Sequence, residues 1–325
     1  RDRSVSRGLG DVYKRQILEN ARSIKQAGDA NGVQNFFMLK QIGRNPLIAR
    51  ALTDMGYVGA VCVDFREALT MVENQIPLGN VGHLVQIPRA ALKKILRAKP
   101  VIVTVYTLEK AREISAVCTE LGLHQKLMLR VLGEGDMLYS GQYGGFELQE
   151  LDSAVRAIEA MPNVEVGGVC SFPCFLYDEA AQDILPMPNL RTVQTAAEML
   201  RARGYRDLML NTPSATCTHS IPMIAAAGGT HGEPGHGLTG TTPYHAGHPD
   251  AEERPGYLYV SEVSHNLGDK AYCYGGGHYR RGHMKNALVG TTPENAKVVP
   301  VLPPDDSSID YHFELQQNCP VSAAA

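Results

Sequence analysis

The chain has 325 residues, 44% hydrophobic and 20% charged, ordinary values for a globular protein able to bury a sizeable core. With 31 basic and 34 acidic residues the formal net charge is −3, which gives no reason to expect nucleic acid or an acidic membrane surface as partner. No apolar run approaches the roughly 18 residues needed to span a bilayer, so no membrane partner is expected either.

Arg1 to Gln16 (RDRSVSRGLGDVYKRQ) lacks a starting Met and the apolar core of a signal peptide. It is similar to translated sequencing-adapter read-through, and residues 1–16 are expected to be non-native. From residue 35, short β-branched runs alternate with amphipathic helical stretches. Candidate strands are 35–40, 59–64, 82–87, 101–106, 126–132, 164–171, 207–212 and 229–235. Candidate helices between them are 65–75, 89–98, 108–122, 147–160, 189–204 and 219–227. Near-continuous apolar strands alternating with helices predict a parallel sheet covered on its outer face. Eight such units favour an α/β fold of the (β/α)8 TIM-type barrel class, here over residues 17–240, rather than an open doubly wound sheet. Two strand-to-helix loops, 133–146 and 172–188, are long enough to set specificity. After residue 241 helical periodicity gives way to Gly, Pro, His and Tyr. Strand-like segments follow (YLYVSEV, KAYCYGGG, AKVVPVL, IDYHFEL), predicting a smaller β-rich C-terminal domain over 241–325. The last residues, Pro320 to Ala325, read as the start of another strand, so this domain is expected to be incomplete. The cysteines, at 62, 118, 170, 174, 217, 273 and 319, are odd in number and scattered, as free thiols in a reducing cytoplasmic compartment would be.

Lys40 ends the first apolar run, where α/β barrels place their chemistry, and a lysine there can form a Schiff base. Strand seven ends in Asn211-Thr212-Pro213-Ser214, a hydroxyl-rich turn before a helix. Strand eight leads into Glu233-Pro234-Gly235-His236, where a glycine leaves backbone N–H groups open. Hydroxyls, bare amides and a helix start together make an anion cradle. Either turn alone reads as a cap; both together, opposite Lys40, read as a phosphate site.

These features resemble the fold-type III pyridoxal-phosphate enzymes: a lysine after strand one, Asn-x-x-Ser after strand seven and x-Pro-Gly after strand eight. Within them the sequence is similar to the alanine racemase N-terminal-domain family and its YhfX-type branch. The stretches LKQIGRNP (39–46), GHLVQIP (82–88), NTPSATC (211–217), EPGHGLTG (233–240), YCYGGGHYRRGH (272–283) and DDSSIDY (305–311) carry the likeness. The resemblance implies pyridoxal 5'-phosphate as cofactor, an amino-acid-like substrate and a homodimer with shared active sites. It implies that Lys40 forms the Schiff base, while Ser214 and the backbone of Gly235 and His236 hold the phosphate. Asn211 belongs to the same motif. Arg44 stands where alanine racemases place a phosphate-contacting tyrosine. Glu233 stands where they carry an arginine facing the pyridine nitrogen.

That last difference has chemical weight, because a carboxylate favours the protonated ring and so a stronger electron sink. Ser171 stands where many relatives have a histidine stacked on the cofactor; it cannot stack, which leaves Phe172 to cover that face or the site altered. By the same resemblance, Cys273 or Tyr274 of the second domain supplies the second acid/base. A strand ending in a glycine turn, with its aromatics packing, is the plain alternative. His231, His236, His245, His248, His265, His278 and His283 show no ordered ligand spacing, and no metal is expected. His83 reads as a core or loop histidine. The expectation is therefore an enzyme acting at Cα through Lys40, a racemase or epimerase. A decarboxylase or D-threonine-aldolase-like lyase, and a non-catalytic cofactor-binding protein, are the alternatives. A metal-dependent barrel hydrolase would require the histidines to converge.

Overall fold

The computed structural model describes residues 3–275, 284–305, 307–308 and 311–325, with side chains of the first helix from Lys14 onward. The chain divides into two units, Arg1–Gly256 and Tyr257–Ala325.

The first unit is built on eight parallel strands. They are β1 (Gln34–Asn35), β2 (Ala60–Cys62), β3 (Leu78–Val81), β4 (Ile102–Val105), β5 (Gln125–Leu132), β7 (Val164–Cys170), β10 (Met209–Asn211) and β11 (His231–Gly232). From β2 to β11 each pairs with the next, β11 returns to β1 with Gln34 opposite His231, and a short ninth strand, β6 (Phe146–Glu147), pairs alongside β5. A bridge between Phe37 and Ala60 joins the first strand to β2 and closes the cylinder. Because side chains alternate along a strand, two apolar layers arise. Phe36, Met38, Val61, Ile102, Met128 and Cys170 form one cluster inside the barrel. Phe37, Ala60, Val103, Leu127, Leu129 and Val169 join the larger cluster beneath the helices.

The helices start where capping side chains stand. Asn45 accepts from the Leu47 and Ile48 amides ahead of α2 (Pro46–Asp54), and Asp64 accepts from Glu67 N ahead of α3 (Phe65–Glu73). Helix α4 (Arg89–Arg97) buries Ala91, Leu92, Ile95 and Leu96 at helical spacing. The pattern repeats in α5 (Leu108–Leu121), α6 (Leu151–Glu159), α7 (Pro188–Ala202) and α8 (Ile221–Ala226). Helix α1 (Arg3–Asn31) precedes the barrel, buries Ile17, Asn20, Ala21 and Ile24, and continues back through the segment set aside on sequence grounds.

Three expectations are corrected. Strand three lies at Leu78–Val81, not at 82–87. Gly79 and Asn80 are weak strand formers, but a Cβ at Gly79 would collide with the Phe36 ring, so the close barrel interior requires the glycine. The loop over 172–188 carries a hairpin, β8 (Phe175–Asp178) paired antiparallel with β9 (Asp183–Pro186). Residues 241–256 belong with the barrel: Asn20 Nδ2 donates to Leu238 O and Arg254 O, and Gly256 N donates to Thr239 O.

The second unit contains an antiparallel sheet, β12 (Val263–Leu267), β13 (Lys270–Tyr274) and β16 (His312–Leu315), and a two-stranded pair, β14 (Asn286–Val289) with β15 (Lys297–Pro300). Val263, Ala271, Cys273, Val289, Val299, Phe313 and Leu315 form its core. The seven cysteines carry free, buried thiols. Among the described residues no helix is long and apolar enough to cross a membrane.

Leu92 is fully buried in the cluster between α4 and the sheet. Replacing it with Ala should cost about 2–5 kcal/mol through lost transfer energy and a cavity, read as a lower urea midpoint in far-UV circular dichroism. An unchanged midpoint would show that α4 does not depend on this contact.

Candidate functional site

A cavity of about 270 Å³ lies among the loops leaving the C-terminal ends of the strands. Met38, Lys40 and Gln41 line it from after β1, His83 and Leu84 from after β3, and Phe172 from after β7. Leu176, Tyr177 and Ile184 of the hairpin, Ser214 to Thr216 after β10, and Glu233 and Gly235 to Gly237 after β11 complete most of the wall.

The buried carboxylate of Glu233 is the most constrained group of this wall. Its Oε1 accepts from Asn211 Nδ2 at 2.6 Å and from Asn80 Nδ2 at 3.1 Å. Thr104 Oγ1 donates to Asn80 Oδ1 at 2.7 Å and fixes which way that amide points. The other oxygen, Oε2, is buried with no hydrogen-bond partner, 3.7 Å from His83 Nε2. A buried carboxylate oxygen is normally satisfied, so Oε2 is an acceptor waiting for a donor from the cavity.

Lys40 opens a short 3₁₀ turn, Lys40–Ile42, and remains solvent-accessible. Burial of its surroundings lowers its pKa from the ordinary 10.5, against the opposing fields of Glu67 and Glu233. The neutral, nucleophilic amine is thereby favoured.

Opposite stands an anion cradle. Ser214 and Ala215 have φ of 101° and 52°, positive values that turn the backbone sharply at this point. Among the described residues the amides of Ser214, Ala215, Gly235 and His236 donate to no protein acceptor. Gly237 lets the two loops meet: a Cβ there would strike the Thr216 carbonyl oxygen. Glu233 N also donates to Thr216 Oγ1 at 3.2 Å. The His236 imidazole, lining the cavity, has its pKa lowered by burial and by Lys40. An amine, a carboxylate acceptor and an anion cradle around one cavity suit a cyclic, anionic aldehyde bearing a ring nitrogen.

The structure thus brings together Lys40, Ser214, Glu233, Gly235 and His236, all predicted from sequence. Asn211 is placed behind them, holding Glu233 and not lining the cavity. Arg44 departs from expectation: its guanidinium lies 3.9 Å from Asp64 and 4.0 Å from Glu67, and it does not line the cavity. Two carboxylates draw it away from the cradle. Ser171 also turns aside, accepting from Asn189 Nδ2 at 3.0 Å and lying 3.5 Å from Asp136 Oδ2. Phe172 lines the cavity in its place, edge-on to His83 with centroids 5.5 Å apart. Cys273 faces the core of the second unit, where burial pushes its thiol up to about 11, so it is not a ready acid or base. Strand alternation puts Tyr274 on the opposite face, 53% exposed.

His83 reads from the sequence as a core or loop histidine, and Asn80 and Arg130 are not singled out there. Displacing strand three by four residues put His83 at the start of a strand, whereas it follows the strand's C-terminal end. Polar Asn80 in the middle of LGNV was the available signal. Arg130, wholly buried on β5, donates to the Tyr106 hydroxyl at 2.7 Å and to Gln142 O at 2.9 Å; nothing local in its strand marks it. Among the described residues no group of three or more His, Cys, Asp or Glu is placed to hold a metal ion. His278 and His283, with Gly276 and Gly277 of the glycine turn, lie outside the described residues.

Residues 12–243 match the family described as "Alanine racemase, N-terminal domain", and residues 258–325 match "YhfX-like, C-terminal domain". The chain belongs to the alanine racemase N-terminal-domain family. It is 43% identical over 311 residues to YhfX of Escherichia coli (strain K12), covering 95% of this chain and 80% of that one. Among solved structures, D-threo-3-hydroxyaspartate dehydratase from Delftia sp. HT23 aligns with a TM-score of 0.67 at 15% identity, over 95% of this chain and 86% of its own. Alanine racemase of Clostridium difficile 630 in complex with cycloserine aligns at 0.64 and 16%, over 95% and 82%. D-threonine aldolase from Filomicrobium marinum aligns at 0.62 and 17%, over 97% and 83%. At these identities the likenesses establish the fold, a barrel followed by a β-rich domain.

Because its folded pKa is depressed, Lys40 should become reactive at lower pH than a free lysine. Reductive methylation by formaldehyde, followed at Lys40 by mass spectrometry, should reach half its limiting rate below pH 10.5. A midpoint at or above that value would contradict the role given to burial.

Proposed function

We propose that this protein is a pyridoxal 5'-phosphate enzyme that acts at the Cα of an amino acid or related amine through Lys40, as a racemase or epimerase. The unpartnered Oε2 of Glu233, in the same cavity as Lys40 and the open amides of Ser214 and Gly235, carries the proposal. These groups fit the cofactor at three separate points: aldehyde, ring nitrogen and phosphate. When bound, the cofactor supplies an electron sink conjugated to the substrate amine.

The chain's own residues do the rest. Ser214, Ala215, Gly235 and His236 hold the phosphate by backbone N–H groups and by the Ser214 hydroxyl. Glu233, steadied by Asn80 and Asn211, would hold the cofactor's ring nitrogen through Oε2. Phe172 and Met38 give the cavity apolar wall and exclude water from the reacting carbon. Lys40, with its neutral form favoured, takes and returns the proton at Cα. Exposed Tyr274 is proposed as the second acid/base, serving the site of a partner in a homodimer. Cytoplasmic residence, consistent with seven free thiols, belongs to the same proposal.

Glu233 also supports a second reading. An acceptor for a protonated ring strengthens the sink beyond what racemisation requires, which favours a decarboxylase or aldolase.

The full-length protein supplied with pyridoxal phosphate should show a visible absorbance band that Lys40→Ala abolishes. Amino acids incubated with it in D₂O should exchange at Cα and keep their carboxylate. Loss of CO₂ would instead indicate decarboxylation, and release of an aldehyde aldol cleavage. Absence of the band in wild type would sink the cofactor assignment; a band without any turnover across a broad amino-acid panel would leave a binding protein.

A further inference from the structure

We infer that His83 is a positioning residue that holds Glu233 Oε2 as the acceptor for the ring N–H of the cofactor, and so favours the protonated ring. The inference rests on the pyridoxal phosphate reading above. His83 Nε2 and Glu233 Oε2 are both buried without hydrogen-bond partners, 3.7 Å apart, and both side chains are 1% exposed. That separation is just beyond a hydrogen bond, so a small turn of the imidazole closes it. Both residues line the cavity, so the two unpartnered atoms meet at its wall.

The surroundings of His83 select its tautomer. Four groups face it: Glu233 after β11, Arg130 on β5, Cys170 on β7 and Lys40 after β1. Burial favours the neutral imidazole, Arg130 and Lys40 act in the same direction, and Glu233 opposes them. A neutral imidazole carries one N–H. Its Nδ1 lies 4.0 Å from Cys170 Sγ, and burial pushes that thiol up to about 12, so it keeps its proton and faces Nδ1 as a thiol. We assign the imidazole hydrogen to Nε2, the ring nitrogen that lies 3.7 Å from Glu233 Oε2. The residue is also anchored from behind, since the Tyr106 hydroxyl donates to the His83 carbonyl and is itself held by Arg130.

Two amides fix Oε1, and once the imidazole turns to close the gap its N–H fixes the direction in which Oε2 points. The second lone pair of Oε2 still accepts the ring N–H. A ring N–H held by that acceptor would keep the cofactor a strong electron sink. His83 touches neither Cα nor the aldehyde; it acts through Glu233.

The test uses the full chain loaded with pyridoxal phosphate carrying a heavy-nitrogen label in its ring, read by NMR. The wild-type resonance is expected at the protonated-ring position. His83→Leu should move it downfield, toward the unprotonated ring, at the same pH. His83→Gln, whose amide can donate to Oε2, should restore most of the wild-type position, a rescue that a merely structural role would not give. His83→Asn, too short to reach Oε2, provides a second variant expected to shift as Leu does, should His83→Leu not fold. A cofactor-loaded His83→Leu or His83→Asn protein with the wild-type resonance would overturn the inference and leave the proposed function standing. Failure of the wild type to take up the cofactor would overturn both.

Discussion

The barrel converges on the carboxylate of Glu233, held at one oxygen by two amides and left open at the other. Asn80 comes from β3, Asn211 from β10 and Glu233 from the end of β11. They can meet only if the cylinder closes, because Asn80 and Glu233 are 153 residues apart in the chain. A buried anion is costly unless charge-assisted hydrogen bonds compensate. Here they compensate on one side only. The uncompensated side faces the cavity, so the cost of burying it is met when a donor arrives there.

The other parts of the site depend on the same closure. Phe36 N donates to Gly232 O and Met38 N to Pro234 O, which fixes the end of the first strand, and hence Lys40, beside the loop that carries Glu233. The cradle forms because Gly237 packs directly against the Thr216 carbonyl, joining the loops after β10 and β11. Electrostatics then sort the cations. Lys40 stays at the cavity with its ammonium disfavoured by burial, whereas Arg44 is drawn to Asp64 and Glu67. Glu67, whose own pKa burial raises, stands between them, 4.0 Å from the guanidinium and contributing to the field on Lys40.

Much of this was legible from local pattern. The alternation of apolar strands and amphipathic helices predicted the barrel, and the strand-end positions of Lys40, Ser214, Glu233 and Gly235 picked out the polar groups that line the cavity from three of its loops. What failed has identifiable causes. Strand three was displaced because Gly79 and Asn80 serve the crowded barrel interior instead of strand propensity, and that displacement hid His83. Arg44 and Ser171 occupy the expected places in the chain, but their side chains answer to Asp64, Glu67, Asn189 and Asp136, partners invisible to a motif. Cys273 packs into the core of its own unit, and the strand's phase against that core cannot be read from YCYGGG alone.

The sequence by itself determined the architecture and the chemical types available: an amine after the first strand, a hydroxyl-bearing turn after the seventh and a carboxylate followed by glycine after the eighth. Those follow from short-range periodicity and from residue chemistry at strand ends. Only the tertiary structure decided which side chains face the cavity and in what state: Arg44 turned out, Phe172 in, His83 beside Glu233, and one carboxylate oxygen left bare. Side-chain direction, burial and hydrogen-bond satisfaction are set by neighbours far apart in the chain, and those neighbours exist only once the barrel has closed.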